Sequence, residues 1–112
     1  MIAPNPNAAG SDKPDVLAQV VARVLAAGTT DFEVEDEDGQ EQVCAMKGPA
    51  GFGVASFRSD SQEATELRKR LSALTEKPGK ITIQGVEYVL RVMIWDSSGE
   101  GWFRVKIKPV KG

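Results

Sequence analysis

An α+β fold, with two helices packed on one face of a mainly antiparallel sheet, is predicted by three features of the 112-residue sequence. Two segments repeat apolar residues at helical spacing behind side chains suited to capping. Six shorter segments alternate apolar with polar residues, the period of a strand with one face in a core. Two dipeptides, Asp38-Gly39 and Gln84-Gly85, read as two-residue hairpin turns, since a type I′ turn needs positive φ at both central positions.

Residues 1–11 hold Pro, Asn, Ala and Gly with nothing to bury and are expected to be disordered. Residues 12–112 are expected to form one α+β domain. Asp12 is the expected N-cap of a first helix over about residues 13–27, with Pro14 in its first turn and Gly28 as its C′ stop. Val16, Leu17, Val20, Val21, Val24 and Leu25 line this helix and alanines fill much of the rest. Only Gln19 and Arg23 make a polar stripe. A helix apolar nearly all round must be covered on more than one side. The second cover is a neighbouring element or another copy of the chain; Val16, Leu17, Val20, Val21 and Val24 are the expected dimer contact, with the Trp95/Trp102 sheet face as the alternative contact surface.

Asp31–Asp36 alternates Phe32 and Val34 against Asp31, Glu33 and Glu35. Pairing across Asp38-Gly39 sets Val34 opposite Val43 and Phe32 opposite Ala45, which puts both apolar sets on one face. A Gly-Pro-Ala-Gly turn at 48–51 leads to a third strand, Phe52–Arg58. The second helix, about 60–76, opens with overlapping capping boxes, Ser59 with Gln62 and Asp60 with Glu63. It carries a single seam of Ala64, Leu67, Leu71 and Leu74. Lys77-Pro78-Gly79 ends it.

Strands at Lys80–Ile83, Val86–Asp96 and Trp102–Lys108 follow, the last two joined by a loop at 96–101. Pairing sets Ile81 opposite Tyr88 and Ile83 opposite Val86. Keeping Phe103, Val105 and Ile107 on the face of Leu90, Val92 and Ile94 requires 94 to pair with 103. The order α-β-β-β-α-β-β-β reads as one unit used twice, over about 12–58 and 59–109.

Absences narrow the chemistry. No histidine is present and Cys44 is the lone cysteine, which removes imidazole bases, Cys-His nucleophiles and intrachain disulfides. The N-terminal segment has no basic or apolar stretch like a secretory signal, and no segment is apolar for long enough to span a membrane. A soluble, cytoplasmic protein is expected. The charge is sorted along the chain. Residues 1–58 hold nine acids and four bases, and residues 59–112 hold seven acids and ten bases.

The main candidate site is the outer face of the last hairpin. The expected register sets Trp95 opposite Trp102, Met93 opposite Arg104, Arg91 opposite Lys106 and Val89 opposite Lys108. Arg91, Met93, Trp95, Trp102, Arg104, Lys106 and Lys108 thus form the candidate binding set. Three readings compete. The tryptophans can pack as a cross-strand pair under Lys and Arg stems. They can centre a protein interface, where Trp, Met and Arg are favoured. They can stack bases while the cations neutralise phosphates.

Other clusters carry less. The acidic run Asp31, Glu33, Glu35, Asp36, Glu37, Asp38 and Glu41 is expected to be exposed and to keep an edge strand from pairing. It fails as a calcium loop, because Val34 and Ala45 fall where carboxylates are required. Gly48–Gly53 leads into a strand rather than a helix, so it is read as a turn and not a phosphate cradle. Ser97-Ser98 is read as turn chemistry, and Cys44 as a packed residue beside Met46. The sequence therefore predicts a non-enzymatic protein-binding or interaction module, homodimeric, without catalytic residues, metal or other cofactor. The alternative is single-stranded nucleic-acid binding through the Trp/Lys/Arg face.

Overall fold

The computed structural model describes residues 15–97 and 100–110, the side chains of residues 95–97, 100 and 101 excepted. The expected disordered lead-in at 1–11 and the expected cap Asp12 lie outside these residues. Among them the chain forms α1 (Val16–Ala26), β1 (Asp31–Glu37), β2 (Gln40–Lys47), β3 (Ala50–Arg58), α2 (Gln62–Ala73), β4 (Gly79–Ile83), β5 (Val86–Ser97) and β6 (Glu100–Pro109). This is the α+β architecture and element order expected. Among the described residues no helix is long and apolar enough to cross a membrane.

The helix ends differ from expectation. Asp15, not Asp12, caps α1: its carboxylate accepts from the Leu17 N–H. Ser61, not Ser59 or Asp60, caps α2 by accepting from the Ala64 N–H at 3.1 Å. Adjacent Asp and Ser residues all satisfy a capping pattern, and only the turn that places an acceptor over the N2 or N3 amide decides between them. The far end of α1 closes as expected. Gly28 adopts φ +83° and donates to the Leu25 carbonyl, while the Thr29 N–H and hydroxyl both reach the Val24 carbonyl.

The six strands form one antiparallel sheet in the order β3-β2-β1-β6-β5-β4. The expected registers hold, including Phe32 opposite Ala45, Ile81 opposite Tyr88 and Ile94 opposite Phe103. Asp38-Gly39 and Gln84-Gly85 have the positive φ values that a type I′ turn needs. Two connections are tighter than expected. The turn before β3 narrows to Gly48-Pro49, and Ser97 pairs with Glu100 where a six-residue loop was expected. The two three-stranded halves meet where β1 pairs with β6, Phe32 with Val105 and Val34 with Phe103. The first strand of one half is therefore central, while its counterpart β4 is an edge.

One core lies between the sheet and the helices. Phe32, Val34, Val43, Ala45, Leu90, Val92, Val105 and Ile107 face Leu67 and Leu71 of α2 and the whole apolar row of α1. Here the structure corrects an expectation. Val16, Leu17, Val20, Val21 and Val24, expected at a homodimer contact, are buried by their own chain, none above 7% exposed. The reason is curvature. α1 packs against α2 and against both edge strands, β3 and β4. A flat six-stranded sheet would hold its edges about 24 Å apart, farther than an 11-residue helix of ~16 Å can span, so the sheet curls around α1. A curled sheet covers more than one side of a helix.

Candidate binding face

The curl leaves the opposite face of the sheet convex and covered by neither helix. Alternation along each strand puts Asp31, Glu33, Glu35 and Glu37 of β1 on this face. Gln40, Gln42, Cys44 and Met46 of β2 join them. From the other half come Lys80, Glu87, Val89, Arg91, Met93, Arg104, Lys106 and Lys108. The expected pairs all appear: Met93 stands opposite Arg104, Arg91 opposite Lys106, Val89 opposite Lys108, and Trp95 opposite Trp102. The Trp102 side chain is half-buried, and Met93 is 52% exposed. The Trp95 side chain lies outside the described residues.

The structure adds three things that the strand pattern alone did not supply. The first is the partner of the basic strand. β1 lies beside β6, so Asp31 stands opposite Lys106 and Glu33 opposite Arg104. The Glu33 carboxylate lies 3.7 Å from Nη1 of Arg104, whose buried Nε–H has no acceptor among the described residues. Arg104 is thereby partly committed to the sheet itself. Outward acids on one strand and outward bases on another were the available signal for this pairing.

The second is a groove. The segment after α2 runs beside β5 and borders a groove of about 460 Å³, with Leu74, Glu76, Lys77 and Pro78 on one side and Arg91, Val92, Met93 and Lys106 on the other. Lys77, Arg91 and Lys106 form no ion pair among the described residues. Three cations against one acid, Glu76, beside an apolar wall give the groove a net positive charge, which favours a negatively charged group attached to something greasy.

The third is a buried carboxylate. Glu41, expected to be exposed with the rest of the acidic run, is only 2% exposed. It alternates with Val43 and Ala45 on the helix-facing side, where Arg68 of α2 donates to its Oε1 at 2.7 Å. Burial pushes its carboxyl above the usual value; Arg68 pulls it back, and Asp36 adds to the rise. A larger cleft, about 970 Å³, opens here between Asp36, Asp38, Glu41, Ser59, Arg68 and Phe103. Its charges are largely spent on one another. Ser59 donates to Asp36 at 2.7 Å, Arg58 pairs with Asp60, and Arg68 is held by Glu41. The basic groove, with its cations unpaired, is the better candidate although it is smaller.

The remaining clusters do not assemble a reactive centre. Cys44 lies on the convex face, where burial first and then Glu35, Glu33 and Glu37 hold its thiol above the usual value. That disfavours the thiolate a nucleophile needs. Among the described residues no group of three metal-ligating side chains is placed to hold an ion. No family model matches the chain, and no characterised protein matches it in sequence.

Proposed function

We propose that this protein is a protein-interaction module, acting by binding rather than catalysis, and that the convex face over β5 and β6 receives an acidic segment of its partner. The observation that carries this reading is the groove, where Lys77, Arg91 and Lys106 outnumber the single acid Glu76 around exposed Met93 and have no ion pairs of their own among the described residues. Cations that stay solvated in the free protein can be neutralised by a ligand at little internal cost. Met93 and the adjoining Trp102 supply the apolar contact that fixes the ligand in place.

Charge geometry favours an acidic protein segment over a nucleic acid. The basic area spans only β4 to β6, and the next strand, β1, turns a row of carboxylates to the same face. A phosphate chain crossing the sheet would run onto that row, whereas a short acidic peptide fits within the basic half.

A fluorescently labelled peptide alternating Glu with Leu, and a labelled oligo-dT of similar length, separate the two. The peptide is expected to bind at low salt and to lose on the order of tenfold in affinity in the Arg91→Glu, Lys106→Glu double variant. Absence of peptide binding, or tight oligo-dT binding with a steep salt slope, overturns the proposal. The second outcome would transfer the site to nucleic acid.

A further inference from the structure

We infer that the acidic segment binds as an extended strand, antiparallel to β5 and hydrogen-bonded along the open edge that β5 presents where β4 leaves off. The inference rests on the binding-face reading above and adds the ligand's backbone conformation and register.

β5 runs for 12 residues and β4 for only 5. β4 covers Val86–Leu90 and begins at Gly79, so residues 91–97 of β5 have a strand on the β6 side alone. In an antiparallel ladder successive residues direct their N–H and C=O to opposite neighbours. The Val110 N–H, at the end of β6, reaches the Glu87 carbonyl at 2.9 Å, so the odd-numbered residues of β5 bond toward β6. The two-residue turn at Gln84-Gly85 pairs Val86 with Ile83, so the even-numbered residues bond toward β4. Val92 and Ile94 therefore direct N–H and C=O to the side where no strand lies.

The chain departs from this edge at a proline. Pro78 has no N–H with which to extend the ladder, and Leu74 lies so close to Gly79 that a Cβ there would collide with its Cδ2. The bend borders the basic groove, whose lining at Arg91, Val92 and Met93 is the start of the open edge. The opposite edge of the sheet is protected. There β2 and β3 shift register between Val43 and Cys44, and Nη1 of Arg23 donates to the Val54 carbonyl at 3.1 Å. A bulge discourages edge pairing, and a carbonyl already bonded is one fewer site for a guest. Among the described residues, β5 beyond Leu90 carries neither device.

Side chains select the guest. Residues paired across an antiparallel ladder share a face of the sheet. Guest residues opposite Val92 and Ile94 lie on the helix side, where Ile94 is 55% exposed although its partner Phe103 is buried. An apolar residue here extends the core layer over Ile94. Guest residues opposite Arg91 and Met93 lie on the convex face, where Arg91 and Lys106 call for acids. The ligand is thus a segment alternating acidic with apolar residues. In this register its apolar residues carry the N–H and C=O groups that face β5, and its acids turn theirs to solvent. Main-chain bonds supply affinity and the alternate side chains supply the preference.

Fluorescence titration of the intact chain with the labelled Glu-Leu peptide tests the register through two modified peptides. One carries N-methyl groups on its leucine amides, the other on its glutamate amides. Methylated leucines are expected to weaken binding on the order of tenfold, and methylated glutamates to bind within about threefold of the plain peptide. Ile94→Pro removes one guest-facing N–H at an edge position that proline tolerates, and should weaken the plain peptide well beyond Ile94→Ala. Equal sensitivity to the two methylations, or a greater loss from the glutamate set, overturns the inference without requiring any variant to fold. So does a folded Ile94→Pro chain that binds as well as Ile94→Ala. Peptide binding that ignores the methyl groups but is lost in the Arg91→Glu, Lys106→Glu variant removes the added strand and leaves the binding-face reading standing. A parent chain that binds no peptide removes both.

Discussion

The two helices solve the same packing problem in different ways. α1 buries Val16, Leu17, Val20, Val21 and Val24, and both sheet edges close around it. α2 buries only Ala64, Leu67 and Leu71. It is held from its flanks by ions: Arg68 to the buried Glu41, and Arg70 to Asp15, the residue that caps α1. Apolar girth in a helix thus reports how far a sheet bends around it and need not announce another molecule. A one-sided helix, with a narrower apolar seam, gains its second attachment from charge.

The contrast can be broken at three points. The largest effect belongs to Leu17→Ala, which opens a cavity in the curled core and is expected to cost about 2–5 kcal/mol in urea unfolding. The sedimentation behaviour of the folded protein should be unchanged. A Leu17→Ala chain of parental stability but altered association would restore α1 as an interface helix.

A smaller loss, about 1–3 kcal/mol, is expected for Arg68→Ala, because the Glu41 carboxylate would lose its hydrogen-bond donor inside the protein. The double variant Arg68→Ala, Glu41→Gln should recover part of it; no recovery would mean that Arg68 acts through its stem and not its charge.

The smallest effect is a pH dependence. The folded carboxyl of Glu41 titrates above its usual value of 4.5, so the folded state holds this proton more tightly than the unfolded chain does. The stability it confers is fully present below pH 4.5 and is lost as the pH rises through the folded value. Unfolding midpoints compared with Glu41→Gln should show the parent losing ground to the variant across that window. A constant difference would mean that Arg68 fully offsets the burial.

Much of the fold was legible because strand alternation is strict. Once Phe32 and Val34 must share a face with Val43 and Ala45, a slip by one residue would turn all four outward. The hairpins follow from that rule and from two turns with glycine at the second position. The strand order was not read, since hairpin logic stops at the hairpin. Joining β1 to β6 needed the complementary outward rows, Asp31 and Glu33 against Lys106 and Arg104. Glu41 was misjudged for a related reason. It sits among six other acids in the sequence, but its position two residues before Val43 places it on the inner face, and alternation was the stronger guide. The basic face itself was visible. The wall supplied by Leu74–Pro78 was not, because a loop carries no period from which its path can be deduced.

The β1–β6 seam also dictates an order of events. Each three-stranded half is a local meander that can zip up soon after it leaves the ribosome. The centre of the sheet cannot form until Phe103 and Val105 arrive to meet Val34 and Phe32, on the last of the six strands to be made. Until then β1 is an open edge with Phe32 and Val34 uncovered on their β6 side, and its outward carboxylates are what keep that waiting edge from joining a neighbour.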